Sequence, residues 1–301
     1  MSSQTKNYVQ GLKAAQAGKG KFNEVPKAER TEFYHRSIVL ARIFADSKGS
    51  WVLKGGTALV WRDPDARSTR DLDFFNREAQ NIQQAVEAFE RTLQQITTAP
   101  YDISLECESN LEQSTVAGHR QSSKITVHLK DDFGHRLKNP ITIDLVIGCR
   151  MTGNVEEWPT LALEDVLLEE MPKVQLYPVV DHLADKVAAT MQTYSQAGRE
   201  NPSTRVRDLI DIVQLALTEV IDGRQLHEAL ESERLERGLA PYREGLVCPD
   251  SWKTMYTGRK VKRGGTTPSS YKEALVIAKN LIDPAISGEA IGKVWRDQSW
   301  T

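Results

Sequence analysis

Residues Lys54 to Phe75 read KGGTALVWRDPDARSTRDLDFF, a stretch that sets a glycine turn and a close pair of carboxylates inside one short unit. Just before it, Trp51 to Lys54 (WVLK) is a short apolar run that stops at Gly55-Gly56, after which Thr57 opens a helix-like TALVW. The order is strand, turn, helix. Glycines at such a junction let the backbone come close to a ligand, and amides at a helix N-terminus present partial positive charge to an anion. Gly55 and Gly56 therefore suit a phosphate. In DLDFF the period of two puts Asp71 and Asp73 on one face and Leu72 and Phe74 on the other, toward a core. Like charges so placed repel unless a cation sits between them, and hard oxygen ligands with room left for substrate phosphates suit Mg²⁺. Taken singly, a glycine pair is a tight turn and an Asp-x-Asp a solvated strand end. In this order and at this spacing they favour phosphate chemistry.

The run Lys54-Gly55-Gly56-Thr57-Ala58-Leu59, followed by Arg67, Ser68, Asp71 and Asp73, resembles the opening motif of the nucleotidyltransferase-fold toxins of the AbiEii and MenT type. That motif is a version of the glycine-serine and Asp-x-Asp signature of the polymerase-beta superfamily. Gly56 or Thr57 stands where the wider superfamily has serine, which leaves open whether a hydroxyl touches the nucleotide phosphates. The resemblance implies a nucleoside triphosphate substrate, Mg²⁺ as cofactor, and nucleotide contacts from Lys54, Gly55, Gly56, Thr57, Arg67 and Ser68.

Composition bounds the rest. At 301 residues, with 40% hydrophobic and 27% charged residues, the chain has material for two modest domains and is not of disordered composition. No apolar run approaches the ~20 residues that span a bilayer, and MSSQTKNYVQ lacks a signal-peptide core, so the expected location is the cytoplasm with no membrane partner. Cys107, Cys149 and Cys248 are odd in number and far apart, neither a disulfide framework nor a zinc spacing. A net charge of −2 argues against a broad nucleic-acid-coating surface and restricts any RNA contact to a local patch.

Residues 1–28 carry scattered lysines and few large apolar side chains and read as a loosely docked arm. From about Arg30 to Asp46, and again from Glu78 to Thr98, apolar residues recur on one helical face, which predicts two helices covering a sheet. Alternation then takes over in YDISLECES, SSKITVHLK and NPITIDLVIG, three strands of a mixed sheet. In the last of these Ile141, Ile143, Leu145 and Ile147 share a face and Asp144 stands on the other. It is either a strand-end acid bonded to a turn or the third carboxylate that the superfamily places on a neighbouring strand. Glu106 is the reserve for that place.

From about Thr160 helical spacing replaces strands, with the boundary near Gly148 to Pro159. The chain is thus read as α+β: an arm (1–28), a nucleotidyltransferase-type mixed sheet with covering helices (29–155), and a mainly helical domain (156–301). In the helix from Val179, Lys186 falls at the edge of the apolar stripe; in the helix from Ser203, Asp208 points away from it. The surface reading is a pair of solvated helices with i,i+4 charges such as Arg207 and Asp211. The stretches around Lys186 and Asp208 also resemble the family's later lysine and aspartate motifs, with Arg207 in place of the usual Lys. That resemblance implies a lysine for phosphate charge and an aspartate to orient it. Residues 251–272 (SWKTMYTGRKVKRGGTTPSSYK) interleave Trp252, Tyr256 and Tyr271 with Lys253, Arg259, Lys260, Lys262 and Arg263, a local RNA contact or a solvated loop.

The expected activity is Mg²⁺-dependent nucleotidyl transfer, with Asp71, Asp73 and Asp144 at the metal and Lys186 and Asp208 completing the catalytic set. The resemblance further implies the 3′ end of tRNA or another RNA as acceptor and a cognate antitoxin as partner. Two rivals use the same sequence: a small-molecule nucleotidyltransferase of the antibiotic-modifying kind, and a nucleotide- or RNA-binding protein without chemistry.

Overall fold

The computed structural model describes residues 3–17, 25–45, 49–63, 65–67, 69, 71–94, 103–115, 120–131, 133–137, 139–159, 172–196, 199–258 and 267–301. The chain divides into two compact units: one of Met1–Pro64, Ser68–Cys149 and Val155–Leu176, the other of Asp65–Arg67, Arg150–Asn154 and Tyr177–Thr301.

The first unit runs α1 (Ser3–Ala17), α2 (Lys27–Ala45), β1 (Trp51–Lys54), α3 (Gly55–Arg62), β2 (Leu72–Asn76), α4 (Ile82–Leu93), β3 (Ser104–Thr115), β4 (Gln121–Lys130), β5 (Ile141–Ile147), β6 (Glu156–Trp158) and β7 (Val174–Leu176). Its sheet has seven strands in the order β3-β4-β5-β2-β1-β7-β6. β2 with β5 and β1 with β7 are parallel pairs, and the other neighbours are antiparallel, so the sheet is mixed. Four consecutive buried residues make β1 a central strand, while β5 alternates buried and half-buried residues, one face in the core and one outside. The core holds a ring cluster: Trp51 of β1 and Phe74 of β2 meet Phe44 of α2 and Phe89 of α4 at centroid distances of 5.5–6.3 Å. α4 starts where the Asn81 side chain accepts from Gln84 N, and it buries Ile82, Val86, Phe89 and Leu93 along one stripe.

Three expectations change. The arm of residues 1–28 contains α1, docked on α2: the Tyr8 hydroxyl meets His35 Nε2 at 2.8 Å, and Gly11 leaves the space that the Tyr34 hydroxyl fills. Its packing rests on a tyrosine, an alanine and a glycine, which a search for large aliphatic side chains passes over. α2 is buried almost all round from Phe33 to Phe44 rather than along one stripe, because its cations have internal partners: Arg42 donates to the carbonyls of Leu93, at the end of α4, and of Ile103. Strands also continue past residue 160, since β7 joins the sheet beside β1. Three residues are too few to show a period.

The second unit contains α5 (Val179–Met191), β8 (Thr193–Gln196), β9 (Arg199–Pro202), α6 (Val206–Thr218), β10 (Ile221–Asp222), α7 (Gly223–Glu236), α8 (Trp252–Gly258), α9 (Tyr271–Ser287), β11 (Val294–Arg296) and β12 (Ser299–Trp300). It is mainly helical, with a β8-β9 hairpin and a small sheet in the order β10-β11-β12. Asp181 in the first turn of α5 accepts from Thr152 N, Thr152 Oγ1 and Gly153 N, which fastens residues 150–154 to this unit. The helical pattern at residues 161–170 lies outside the described residues.

Candidate active site

At one end of the first unit's sheet, β1 turns into α3 through Gly55, whose φ is +62°. A Cβ at Gly55 would stand 1.8 Å from Oδ2 of Asp73, so the backbone conformation and the approaching carboxylate each require glycine. A Cβ at Gly56 would meet the Thr69 side chain at 2.9 Å. Lys54 occupies the N-cap position without a side-chain cap, which leaves the first-turn amides of α3 to other acceptors.

Register lines up four charged residues across the sheet. Lys54 of β1 pairs with Asp73 of β2, Asp73 with Asp144 of β5, and Asp144 with Lys124 of β4. Residues paired in register share a face, so the row Lys54–Asp73–Asp144–Lys124 lies opposite the Phe74 face. Asp144 is half-buried, with Lys124 Nζ 3.6 Å from its carboxylate. Burial pushes its carboxyl up from the ordinary range; Lys124 opposes the shift, and the negative charge of Asp71 adds to it. Asp71 itself is exposed at the start of β2. Its carbonyl accepts from Thr57 Oγ1 at 2.9 Å, while Arg36 Nη1 holds the carbonyl of Thr69 at 2.5 Å.

The question over a hydroxyl at Gly56 or Thr57 acquires a geometry here: the Thr57 hydroxyl is buried and turned to the Asp71 backbone. Lys54 is buried too, with Nζ 3.4 Å from Cys149 Sγ. Glu106 stands on β3, held by Arg136 at 2.7 Å and Lys130 at 3.1 Å; those two hydrogen bonds take its carboxyl down to about 2. It is two strands from Asp144 in the sheet order, whereas Asp144 is the residue paired with Asp73. Ser68 lies outside the described residues.

The carboxylates of Asp71, Asp73 and Asp144 are the hard oxygen donors that Mg²⁺ takes, on two adjacent strands. Among the described residues no three acidic, His or Cys side chains stand close enough to enclose an ion. Asp144 faces Lys124 in this arrangement, which leaves Asp71 and Asp73 as the two carboxylates that could hold a metal. Beside Asp71, a recess of about 170 Å³ is lined by Glu32, His35 and Arg36 of α2 and by residues 139–142 ahead of and within β5. Burial, then the charge of Arg36, lowers His35 to about 4.

The second unit gathers a separate charged cluster. Lys186 Nζ of α5 lies 2.9 Å from Asp208 Oδ1 and 2.7 Å from Asp211 Oδ2, both on α6. Arg67 forks onto Asp211 with bonds of 2.6 and 2.7 Å, and Arg205 reaches Asp208 at 2.6 Å. Burial alone would lower the Lys186 ammonium, yet Asp211 and Asp208 raise it above its ordinary value. Burial alone would raise Asp211, yet Lys186 and Arg67 bring it down to about 2. The reading that places Lys186 and Asp208 outside the buried stripes of their helices is therefore corrected: they are 6% and 2% exposed, because each charge is matched inside the unit. Asp211, read as the surface partner of Arg207, is the residue that sequence reasoning missed. Its signal was an acid inside the apolar run LIDIV, which demands a buried cation. Arg67 likewise pairs with Asp211 in this unit.

For two of its three rings, Trp252 and Tyr256, the RNA-contact reading is also corrected. Trp252 is fully buried, with Nε1 donating to Ser203 O at 2.7 Å, and the Tyr256 hydroxyl donates to Pro268 O at 2.6 Å. These rings hold the fold together and are not open to bases. Arg259, Lys260, Lys262 and Arg263 lie outside the described residues.

Comparisons with known proteins identify the family. The family described as nucleotidyl transferase AbiEii toxin, type IV TA system, matches residues 38–281. Among solved structures, the nucleotidyltransferase toxin MenT4 of Mycobacterium tuberculosis aligns over 95% of this chain and 90% of its own, at 14% identity and a TM-score of 0.53, which shows a similar fold. JHP933 of Helicobacter pylori aligns over 87% of this chain and 97% of its own, at 17% identity and a TM-score of 0.41. No curated protein matches in sequence. With the family pattern spanning most of its length, the chain belongs to the AbiEii nucleotidyltransferase toxin family.

Proposed function

We propose that this nucleotidyltransferase moves a nucleotide from a nucleoside triphosphate to the 3′ end of an RNA, tRNA first among them, in a Mg²⁺-dependent step in the cytoplasm. The observation that carries the reading is the Asp73 carboxylate set against Gly55, beside Asp71 and in register with Asp144. Gly55 and Gly56 offer first-turn amides of α3 to the triphosphate, and Thr57 holds the Asp71 backbone through its hydroxyl. A metal on Asp71 and Asp73 would supply charge neutralisation for the entering and leaving oxygens. Asp144, whose carboxyl burial raises above the ordinary carboxylate range, takes the proton of the acceptor hydroxyl. The acceptor oxygen bonds to the α-phosphorus as the bond to the β-phosphate oxygen breaks, and pyrophosphate leaves.

For Lys186 and Asp208 the resemblance carries the proposal: a lysine for phosphate charge and an acid to orient it. The RNA acceptor and the cognate antitoxin come from the same source. The test incubates the protein with each α-labelled nucleotide, Mg²⁺ and unfractionated tRNA, with a parallel sample whose 3′ termini have been oxidised by periodate. Label is expected on intact RNA alone. Label on oxidised RNA, or only on a small molecule, would replace this reading by a transferase acting on small acceptors.

A further inference from the structure

We infer that the recess beside Asp71 is the seat of the acceptor's terminal ribose, with Glu32 accepting from its 2′-hydroxyl, so that the enzyme selects RNA ends over DNA ends. This rests on the RNA-acceptor reading above and adds a specificity-determining residue to it. Three features point to the occupant.

The first is position. In the order β5-β2-β1, the glycine turn follows β1 and the recess opens where β5 begins, so the two flank Asp71 on opposite sides at the same end of the sheet. If the triphosphate takes the glycine side, the other reactant is left the β5 side. There Thr142 shares a strand face with Asp144, the proposed proton acceptor.

The second is size. About 170 Å³ is well below the roughly 300 Å³ or more of an ordinary small-ligand pocket, room for a single ring rather than a whole nucleotide.

The third is chemistry. Glu32 presents a carboxylate 39% exposed and 3.7 Å from the Arg36 guanidinium, beyond hydrogen-bond length. An acid beside a sugar accepts from ribose hydroxyls, as in dinucleotide-binding folds. The other two α2 side chains in the recess have partners of their own: His35 Nε2 meets the Tyr8 hydroxyl, and Arg36 donates to Thr69 O and Glu32 O.

The experiment compares two tRNA pools that both keep a 3′-hydroxyl, one ending in adenosine and one in 2′-deoxyadenosine, with free adenosine as a third acceptor. Transfer by the wild-type protein, Glu32→Ala and Glu32→Gln is measured as the ratio between pools, in which any general loss of folded protein cancels. The wild type is expected to prefer the ribose end by roughly tenfold to a hundredfold, the range for a hydrogen bond to a charged group. Glu32→Ala should bring the ratio near one, and Glu32→Gln, which keeps an acceptor oxygen, should fall between. Equal use of both ends by the wild type, or a preference that survives Glu32→Ala, would overturn the recess inference and leave the RNA-end reading standing. Label on adenosine alone, or on no acceptor, would overturn both.

Discussion

At the scale of single residues, two positions decide whether the site can work, and each gives a prediction. Alanine at Gly55 would place its Cβ against the Asp73 carboxylate and hold a non-glycine residue at φ +62°, so either the turn or the acid must move. A shift of about an ångström in a reacting group costs on the order of a hundredfold in rate. Gly55→Ala should lose at least that much transfer while retaining its circular dichroism spectrum; near-normal kcat would mean that Asp73 is not in the site. Asp144 is chosen for a pH profile because its carboxyl is raised, by burial first and by Asp71 besides. A base must be ionised to accept a proton, so kcat/KM should climb as pH rises through that raised value and level off above it. Asp144→Asn should cut the rate severely and remove that limb. The same shift acts oppositely on folding. An acid whose folded value is raised favours the fold below its unfolded value, and that contribution is lost as pH rises through the folded one. Activity and the Asp144 share of stability should thus run in opposite directions with pH.

At the scale of elements, α5 and α6 are joined by charge as well as by apolar packing. Lys186→Ala would leave Asp208 and Asp211 facing each other without the shared cation, at a cost of about 3–5 kcal/mol. Lys186→Met combined with Asp208→Asn should recover much of that loss, since Asp211 keeps its Arg67 fork and the Arg205 side chain is largely exposed. Urea melts of the single and double variants check this, and simple additivity would exclude a shared network. Acid should act in the same direction. The depressed Asp211 stabilises the fold above its ordinary 3.8, and that contribution fades as pH falls toward about 2.

What the sequence discloses about these elements follows from distance along the chain. Gly55, Asp71 and Asp73 fall within one strand-turn-helix-strand unit, so period and turn chemistry place them. Asp144 is legible as the acid on the outer face of an apolar strand, while its neighbour Lys124 depends on register, which period alone leaves open. The Arg67–Asp211 fork joins residues 144 apart and has no local signature, and each of its members resembles a surface charge when read alone. Trp252 and Tyr256 show the reverse error: rings beside lysines suggest a stacking surface, although burial had already claimed them.

At the scale of the whole molecule, the carboxylates tie stability to metal and nucleotide. Burial raises the Asp144 carboxyl and the Asp71 charge adds to that shift, so the clustered carboxylates work against the fold until a metal cation offsets them. Mg²⁺ with a non-hydrolysable triphosphate should therefore raise the melting temperature together more than either does alone. At a hundredfold excess over Kd, binding to the folded state alone contributes about 2.7 kcal/mol, and EDTA should reverse the metal-dependent part. Asp71→Asn separates a metal ligand from a residue that serves the fold. Asp71 is exposed, and its backbone contact with the Thr57 hydroxyl uses the carbonyl, which the substitution leaves in place. Removing its charge relieves repulsion, so the metal-free variant should melt at the wild-type temperature or slightly above it. Its gain from Mg²⁺ with nucleotide should shrink to what nucleotide alone provides. A metal-free melting temperature several degrees lower would assign Asp71 to the fold, and an undiminished Mg²⁺ response would remove it from the ligand set.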